Sequence, residues 1–229
     1  AIKDAPAVTL KLLWSENGPV MPGAQFNLGA VTPAGYVAAI NWTALSDQDT
    51  SMSALLAVGR ARNVQDGIRA AAPFIAPSQN LILADRTQIA MKTIGAVPAR
   101  DINHQSKGRL PSYGYLPENR WQGTMPYASN PEFVNPKGGI LGNTNNKTVD
   151  RPFPNNISYL WGDTQRINRW NRLMQSREVH TRESFIEAQL DTVSYTARSL
   201  LPLIGADLWF TGEAAPEGTP VRQRQEALQ

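Results

Sequence analysis

The feature that most constrains the fold is a strand–turn–strand pattern in the middle of the chain. Residues 79–84 and 88–94 are two runs rich in apolar side chains, and they flank the polar pair Asp85-Arg86. Two such runs joined by a short polar turn predict a β-hairpin. We expect Asp85 to bond backbone amides of the turn, as aspartate commonly does there, rather than to act as a catalytic acid. The pattern therefore predicts an antiparallel sheet in the core.

Two helices are predicted just before this hairpin. The first covers residues 51–60 and is expected to turn three apolar side chains toward the core: Leu55, Leu56 and Val58. The second begins after Asn63, which forms a near capping box with Asp66, and it ends near Pro73. Paired helices beside paired strands predict an α+β layered protein.

Further elements are predicted on both sides of this region. They are strands at 8–14 and 36–42, a turn at 16–19, and helices at 158–175 and 181–200, the last capped by Thr181. The strand at 36–42 is expected to be buried on both faces because its run is mostly apolar. Residues 95–137 show little regular structure, but their aromatic side chains argue against disorder. We expect an ordered surface loop, with Arg109 and Arg120 paired to carboxylates.

Composition excludes several functional classes. The absence of cysteine rules out disulfides, thiolate catalysis and Cys-ligated zinc, and His104 and His180 are too far apart to suggest a metal site. No apolar run approaches the ~18 residues of a membrane helix. The formal charge is only +3 and the arginines are dispersed, so nucleic-acid binding is not supported. We predict one loop-rich domain over residues 1–229, with an ordered core at 1–210 and a polar tail at 211–229.

A cluster of asparagines is the main candidate for a functional site. The cluster comprises Asn143, Asn145 and Asn146, and a predicted helix downstream carries Arg166, Arg169 and Arg172 at a spacing of three. Crowded asparagines hold turns, but their amides can also donate hydrogen bonds to an oxyanion. Spacing alone favours the turn, and it favours a solvated helix face for Arg169 and Arg172.

A resemblance to a known family bears on this choice. The matching blocks, in order, are residues 108–111, Trp121-Gln122-Gly123, Pro126-Tyr127, Val134-Asn135-Pro136, Gly139, residues 143–146, Leu160-Trp161-Gly162 and Arg166. In their order and spacing these blocks resemble the penicillin acylase (penicillin amidase) family of N-terminal-nucleophile hydrolases. The resemblance covers roughly residues 8–200 and implies part of an αββα sandwich, in which helices pack on an antiparallel sheet.

The resemblance also implies a chemistry. Members of the family cleave linear amides with the serine that autoproteolysis places first in the β chain, and the free amine of that serine is the base. An asparagine side chain and a backbone N–H stabilise the tetrahedral intermediate, and an arginine orients this region. These residues match Asn145 and Arg166. In some relatives an aspartate at the position of Asn155 binds structural calcium. A neutral amide is a weaker ligand than a carboxylate, so we expect no metal or cofactor site in this chain. The resemblance leaves structural calcium open for the parent protein.

The resemblance places this chain inside the family's β chain. The serine nucleophile would then lie upstream, the partner would be the rest of an α/β heterodimer, and the isolated chain is expected to be inactive. A sheet edge left open in the isolated chain would favour self-association. Because the family is mostly exported, a periplasmic location is implied.

Two classes of function follow. The first is a hydrolase for linear amides such as the side chain of a β-lactam antibiotic, with an acyl-homoserine lactone as the alternative substrate. The second is a non-catalytic scaffold domain of the same fold, in which the asparagine cluster only holds a turn.

Overall fold

A computed structural model describes residues 3–4, 6–162, 164–208 and 214–228. The chain divides into two compact units, which are described separately. The first unit contains residues 1–142 and 148–160, and the second contains residues 143–147 and 161–229. The predicted boundary between core and tail, at residues 210 and 211, lies outside the described residues.

The elements of the described residues comprise seven strands, seven α-helices and four short 3-10 helices. The strands are β1 Trp14–Ser15, β2 Gly18–Pro19, β3 Gln79–Ala84, β4 Ile89–Ile94, β5 Pro98–Arg100, β6 Trp121–Thr124 and β7 Glu132–Val134. The helices are α1 Gly23–Phe26, α2 Ser51–Val58, α3 Val64–Ala70, α4 Gln165–Gln175, α5 Arg182–Gln189, α6 Tyr195–Leu208 and α7 Pro220–Leu228.

The first unit is built on the predicted hairpin. Strand β4 pairs antiparallel with β3 on one side and with β7 on the other, in the order β3-β4-β7. Helices α2 and α3 pack on this sheet through two clusters of buried side chains: Ala54, Ala71, Phe74 and Ile94 in one, and Val64, Ile68 and Ala90 in the other. Helices on an antiparallel sheet confirm the α+β class.

Helix α2 presents a different face to the core from the one predicted. Leu55 and Leu56 are exposed, whereas Ser51 and Ala54 are buried and Val58 packs against the core. Positions 51, 54 and 58 are separated by three and four residues, so they lie on one side of a helix; Leu55 lies at the edge of that side and Leu56 nearly opposite it. The predicted cap of α3 is confirmed, because the Asn63 side chain accepts a hydrogen bond from the backbone N–H of Asp66 at 2.8 Å.

Two predicted strands are wrong. Within residues 8–14 only Trp14 is in a strand, the short hairpin β1–β2 around the predicted turn, and Val8, Leu10 and Leu12 are exposed. Residues 36–42 form a single isolated bridge, between Ala39 and Val20. A strand needs a partner along its whole length, and in the described residues the pairing is confined to Leu13 and Trp14 in the first run and to Ala38, Ala39 and Ile40 in the second.

The segment 95–137 has more regular structure than predicted. It contains β5 paired with β6, as well as β7 and two short 3-10 helices. Arg120 pairs with a carboxylate as expected, at 2.9 Å from Glu16. Arg109 does not: its guanidinium lies 4.0 Å from the centre of the Tyr159 ring, an attractive cation–π contact.

The second unit is helical. Helix α4 begins at Gln165 rather than at residue 158, and the predicted helix over 181–200 is two helices, α5 and α6, separated by residues 190–194. Thr181 is confirmed as a cap, through a capping box with Ser184. Helix α6 packs against α4 and α7, and α7 lies in the segment predicted as a polar tail. None of the helices in the described residues is long and apolar enough to cross a membrane.

Candidate functional site

The asparagine cluster forms a turn in the second unit. The Asn143 side-chain oxygen accepts from the backbone N–H of Asn145 at 3.0 Å, and the Asn146 oxygen accepts from that of Thr144, also at 3.0 Å. Asn145 itself has a φ of +67°, a left-handed conformation that asparagine tolerates better than most residues. Asn143 and Asn146 therefore hold the turn, as the spacing predicts, and Asn145 is displayed on it.

The Asn145 side chain is oriented by Arg166. Arg166 Nη2, in the first turn of α4, donates to Asn145 Oδ1 at 3.0 Å. A guanidinium has donors only, so the atom that it contacts must be the amide oxygen. The opposite end of the exposed amide, Nδ2, then carries two hydrogens that can be donated to an incoming oxygen. The two residues that match the family's site are thus brought into direct contact.

The Asn145 backbone is fixed by Gly162. The N–H of Gly162 donates to the Asn145 carbonyl oxygen at 3.0 Å. A Cβ atom at position 162 would lie 3.0 Å from that same oxygen, which is tighter than ordinary van der Waals contact, and 3.4 Å from the Asn145 Cβ. Glycine lets the two backbones approach this closely without a shift of either one. Sequence reasoning assigned no role to Gly162, although it ends the Leu160-Trp161-Gly162 block.

The prediction of a solvated helix face is wrong for Arg169. Its Nε and Nη2 donate to the two carboxylate oxygens of Asp191, at 2.9 and 2.6 Å. Both side chains are partly buried, with 19% of Arg169 and 15% of Asp191 exposed. The hydrogen bond from Arg169 is the main cause that holds the pKa of Asp191 below its usual value. Arg172 is exposed, as predicted.

Asp85 has the structural role that was expected of it. Its carboxylate accepts hydrogen bonds from the backbone N–H groups of Val64, Thr87 and Gln88 at 2.9, 2.7 and 2.8 Å. These bonds lower the pKa of Asp85 to about 2, and the bond from Val64 makes the largest contribution. A group with so low a pKa stays ionised at neutral pH and has no proton to give, so it cannot serve there as a general acid.

Among the described residues, no group of three or more His, Cys, Asp and Glu side chains is arranged to hold a metal ion. Asn155, at the position of a calcium ligand in some relatives, is exposed, and its backbone N–H donates to Pro152.

Comparison with known proteins gives consistent results. The family model described as penicillin amidase matches residues 1–229. An acyl-homoserine lactone acylase QuiP of Pseudomonas fluorescens is 26% identical over 214 residues, covering 93% of this chain and 24% of that protein. A penicillin G acylase of Escherichia coli is 29% identical over 110 residues, covering 48% of this chain and 12% of that protein.

The fold is also shared with a solved structure. A thermostable penicillin G acylase from Alcaligenes faecalis superposes with a TM-score of 0.72 at 19% identity, covering 97% of this chain and 38% of that one. At this identity the likeness concerns the fold. The chain spans about a quarter or less of the length of the curated relatives that it matches.

Proposed function

This chain belongs to the penicillin amidase family, and we propose on that basis that the protein containing it hydrolyses linear amides. In this proposal the chain supplies Asn145 as an oxyanion donor and Arg166 as the residue that positions it. The nucleophile is the N-terminal serine implied by the family, contributed by the rest of the protein. The partners are the remaining parts of an α/β heterodimer, and the location is periplasmic.

The proposed reaction has two acyl transfers. The serine oxygen attacks the amide carbonyl while the serine's own α-amine takes its proton. As the tetrahedral intermediate collapses, the α-ammonium gives that proton to the leaving nitrogen, the C–N bond breaks, and the acyl group remains as an ester on the serine. Water then attacks the ester and gives a proton to the α-amine, which returns it to the serine oxygen as the C–O bond to serine breaks and the carboxylic acid leaves. In both steps the carbonyl oxygen becomes an oxyanion, and the Asn145 Nδ2 hydrogens are donated to it.

The observation that carries this assignment is the 3.0 Å contact between Arg166 Nη2 and Asn145 Oδ1. It fixes the amide so that Nδ2, rather than Oδ1, faces away from α4. A donor held in place before the reaction costs no reorganisation when charge develops, which is the basis of oxyanion stabilisation. The positive guanidinium also polarises the amide to which it is bonded, making Nδ2 a better donor.

One finding favours acyl-homoserine lactones over penicillins as substrates. The alignment with the acyl-homoserine lactone acylase of Pseudomonas fluorescens covers 93% of the chain, whereas that with the penicillin G acylase of Escherichia coli covers 48%. Both substrates present the same linear amide to the same oxyanion site. A panel with matched acyl groups on homoserine lactone and on a β-lactam nucleus would separate them by kcat/KM.

The experiment that tests the proposal compares substitutions at Asn145 in the full-length protein. We expect Asn145→Ala to lower kcat about 10²–10³-fold, the usual cost of one oxyanion donor. Asn145→Asp keeps the contact with Arg166 but replaces the donor with an oxygen, and it should lose at least as much. The matched control is Asn155→Ala, because Asn155 is also exposed and makes no contact with Asn145 or Arg166 among the hydrogen bonds of the described residues.

Rates are taken per mature active site, with maturation checked by intact mass. Equal kcat values for Asn145→Ala and the control would mean that the cluster only holds a turn. A wild-type protein that hydrolyses no amide in the panel would favour the scaffold function instead.

A further inference from the structure

We propose that Asp191 is a positioning residue for this reaction, which acts through Arg169 to hold helix α4 in the orientation that presents Arg166 to Asn145. The inference rests on the proposed function. It extends that function to a residue that does not touch the substrate and lies 25 positions beyond Arg166 in the chain.

The contact between Arg169 and Asp191 fixes direction as well as distance. Both carboxylate oxygens are engaged, at 2.9 Å from Nε and 2.6 Å from Nη2, so the guanidinium plane is held along two bonds. Such a bidentate pair restricts rotation in a way that a single bond from a lysine would not. Its partly buried position reduces the screening that weakens fully exposed ion pairs.

The pair lies one helical turn from Arg166. Residues three apart are neighbours on the surface of a helix, so fixing Arg169 also fixes the base of the Arg166 side chain. At the beginning of α4, the side chain of Thr164, the N-cap residue, makes no capping hydrogen bond. The bonds made by Arg166 and Arg169 therefore contribute to holding this end of the helix. The buried residue of α4 is Met174, in its last turn, far from Arg166.

Asp191 is itself well placed to act as an anchor. It lies in the link between α5 and α6, and its Oδ1 also accepts from the backbone N–H of Val193 at 3.3 Å. Helix α6 packs against α4, so the carboxylate connects the first half of α4 to the helix beside it. A continuous series of contacts therefore lies within the second unit. It joins Asp191 to Arg169, and through α4 it joins Arg166 to Asn145.

The substitution Asp191→Asn tests this role in the full-length protein. It keeps the size of the side chain but removes the charge and one of the two acceptors for Arg169. We expect kcat to fall about 10-fold with KM changed less than about twofold, since small displacements of catalytic groups cost up to about 10²-fold. If Asp191→Asn does not fold, Arg169→Lys serves in its place, because it keeps a positive charge and loses the two-bond geometry.

A second ion pair provides a matched control. Arg177, just beyond α4, pairs with Glu187 on α5, and both are more exposed, at 46% and 64%. The substitution Glu187→Gln removes the charge on α5 that pairs with Arg177, near the C-terminal end of α4 and away from Arg166. We expect Glu187→Gln to leave kcat unchanged.

The decisive measurement is a double-mutant cycle with Asn145→Ala. If Asp191 acts by positioning Asn145, then Asp191→Asn has little further effect on kcat once Asn145 is alanine, because coupled residues are not additive. A fall by the same factor in both backgrounds, or a fall no larger than that of Glu187→Gln, would overturn the proposal. A failure of the proposed function would show differently, as an unchanged kcat in Asn145→Ala itself.

Discussion

The contact between Gly162 and Asn145 gives a sharp prediction for Gly162→Ala. The added Cβ would lie 3.0 Å from the Asn145 carbonyl oxygen, and 3.4 Å from its carbonyl carbon and its Cβ. Ordinary van der Waals contact begins near 3.4 Å, so Asn145 must move by about 0.4 Å. The φ of Gly162 is not in the left-handed region, so this contact is the main cost of the substitution.

A displacement of this size has a small effect on the free energy of unfolding and a large effect on kcat. Overpacking of this kind costs about 1 kcal/mol in the free energy of unfolding, the low end of the usual range. An oxyanion donor, however, must lie within 2.7–3.1 Å of the developing charge, and a shift of about 0.4 Å crosses that whole window. Because complete loss of the donor costs about 10²–10³-fold, we expect a partial loss of about 10-fold in kcat.

The assay measures kcat per mature active site in the full-length protein, together with the melting temperature. The matched control is Gly138→Ala, where an added Cβ meets nothing within 4 Å and φ is again not left-handed. An equal kcat in the two variants would refute the reasoning that joins Gly162 to Asn145. So would a raised KM at unchanged kcat, because that pattern indicates lost ground-state binding rather than lost stabilisation of the transition state.

Two further predictions concern stability. The pKa of Asp85 is lowered to about 2 from 3.8, so the stability that it contributes is present above pH 4 and lost as pH falls through about 2. Asp85→Asn should therefore show a shallower fall in melting temperature between pH 4 and pH 2 than the wild type; equal slopes would contradict this. Lys92 is 1% exposed, with Nζ at 3.0 Å from the Asn130 carbonyl oxygen and 3.1 Å from Glu132. Lys92→Ala leaves a cavity and an unpaired buried carbonyl, so it should lower the free energy of unfolding, measured with urea, by about 3 kcal/mol. A decrease below about 1 kcal/mol would contradict this account.

Local patterns predicted the local structure of this chain well. The Asn63 and Thr181 caps and the turn at Asp85 depend on residues two or three positions apart, and each occurs as expected. The strands expected at 8–14 and 36–42 failed because strand formation depends on a partner that the pattern of one run does not reveal.

Non-local contacts were the main source of error in the site as well. Arg169 looked like part of a solvated stripe because its partner, Asp191, is 22 residues away in sequence. The closeness of Gly162 to Asn145 could not be read from spacing either. Asn145 and Arg166 were identified by resemblance to a family, and spacing alone would have assigned the asparagines to a turn.

The two interpretations of the asparagine cluster turn out to be compatible, because different asparagines would serve them. The side-chain oxygens of Asn143 and Asn146 accept hydrogen bonds from backbone N–H groups of the turn. Asn145, the left-handed residue between them, does not hold the turn in this way, and its side chain points outward from it. The Asn145 oxygen is taken by Arg166 and its carbonyl by Gly162, so Nδ2 is the end of this residue that remains to be donated. A turn that only reversed the chain would have no need of the guanidinium, whereas a donor aimed at an oxyanion requires something to fix which end of the amide points outward. The contact with Arg166 is therefore the part of the geometry that a purely structural account leaves unexplained.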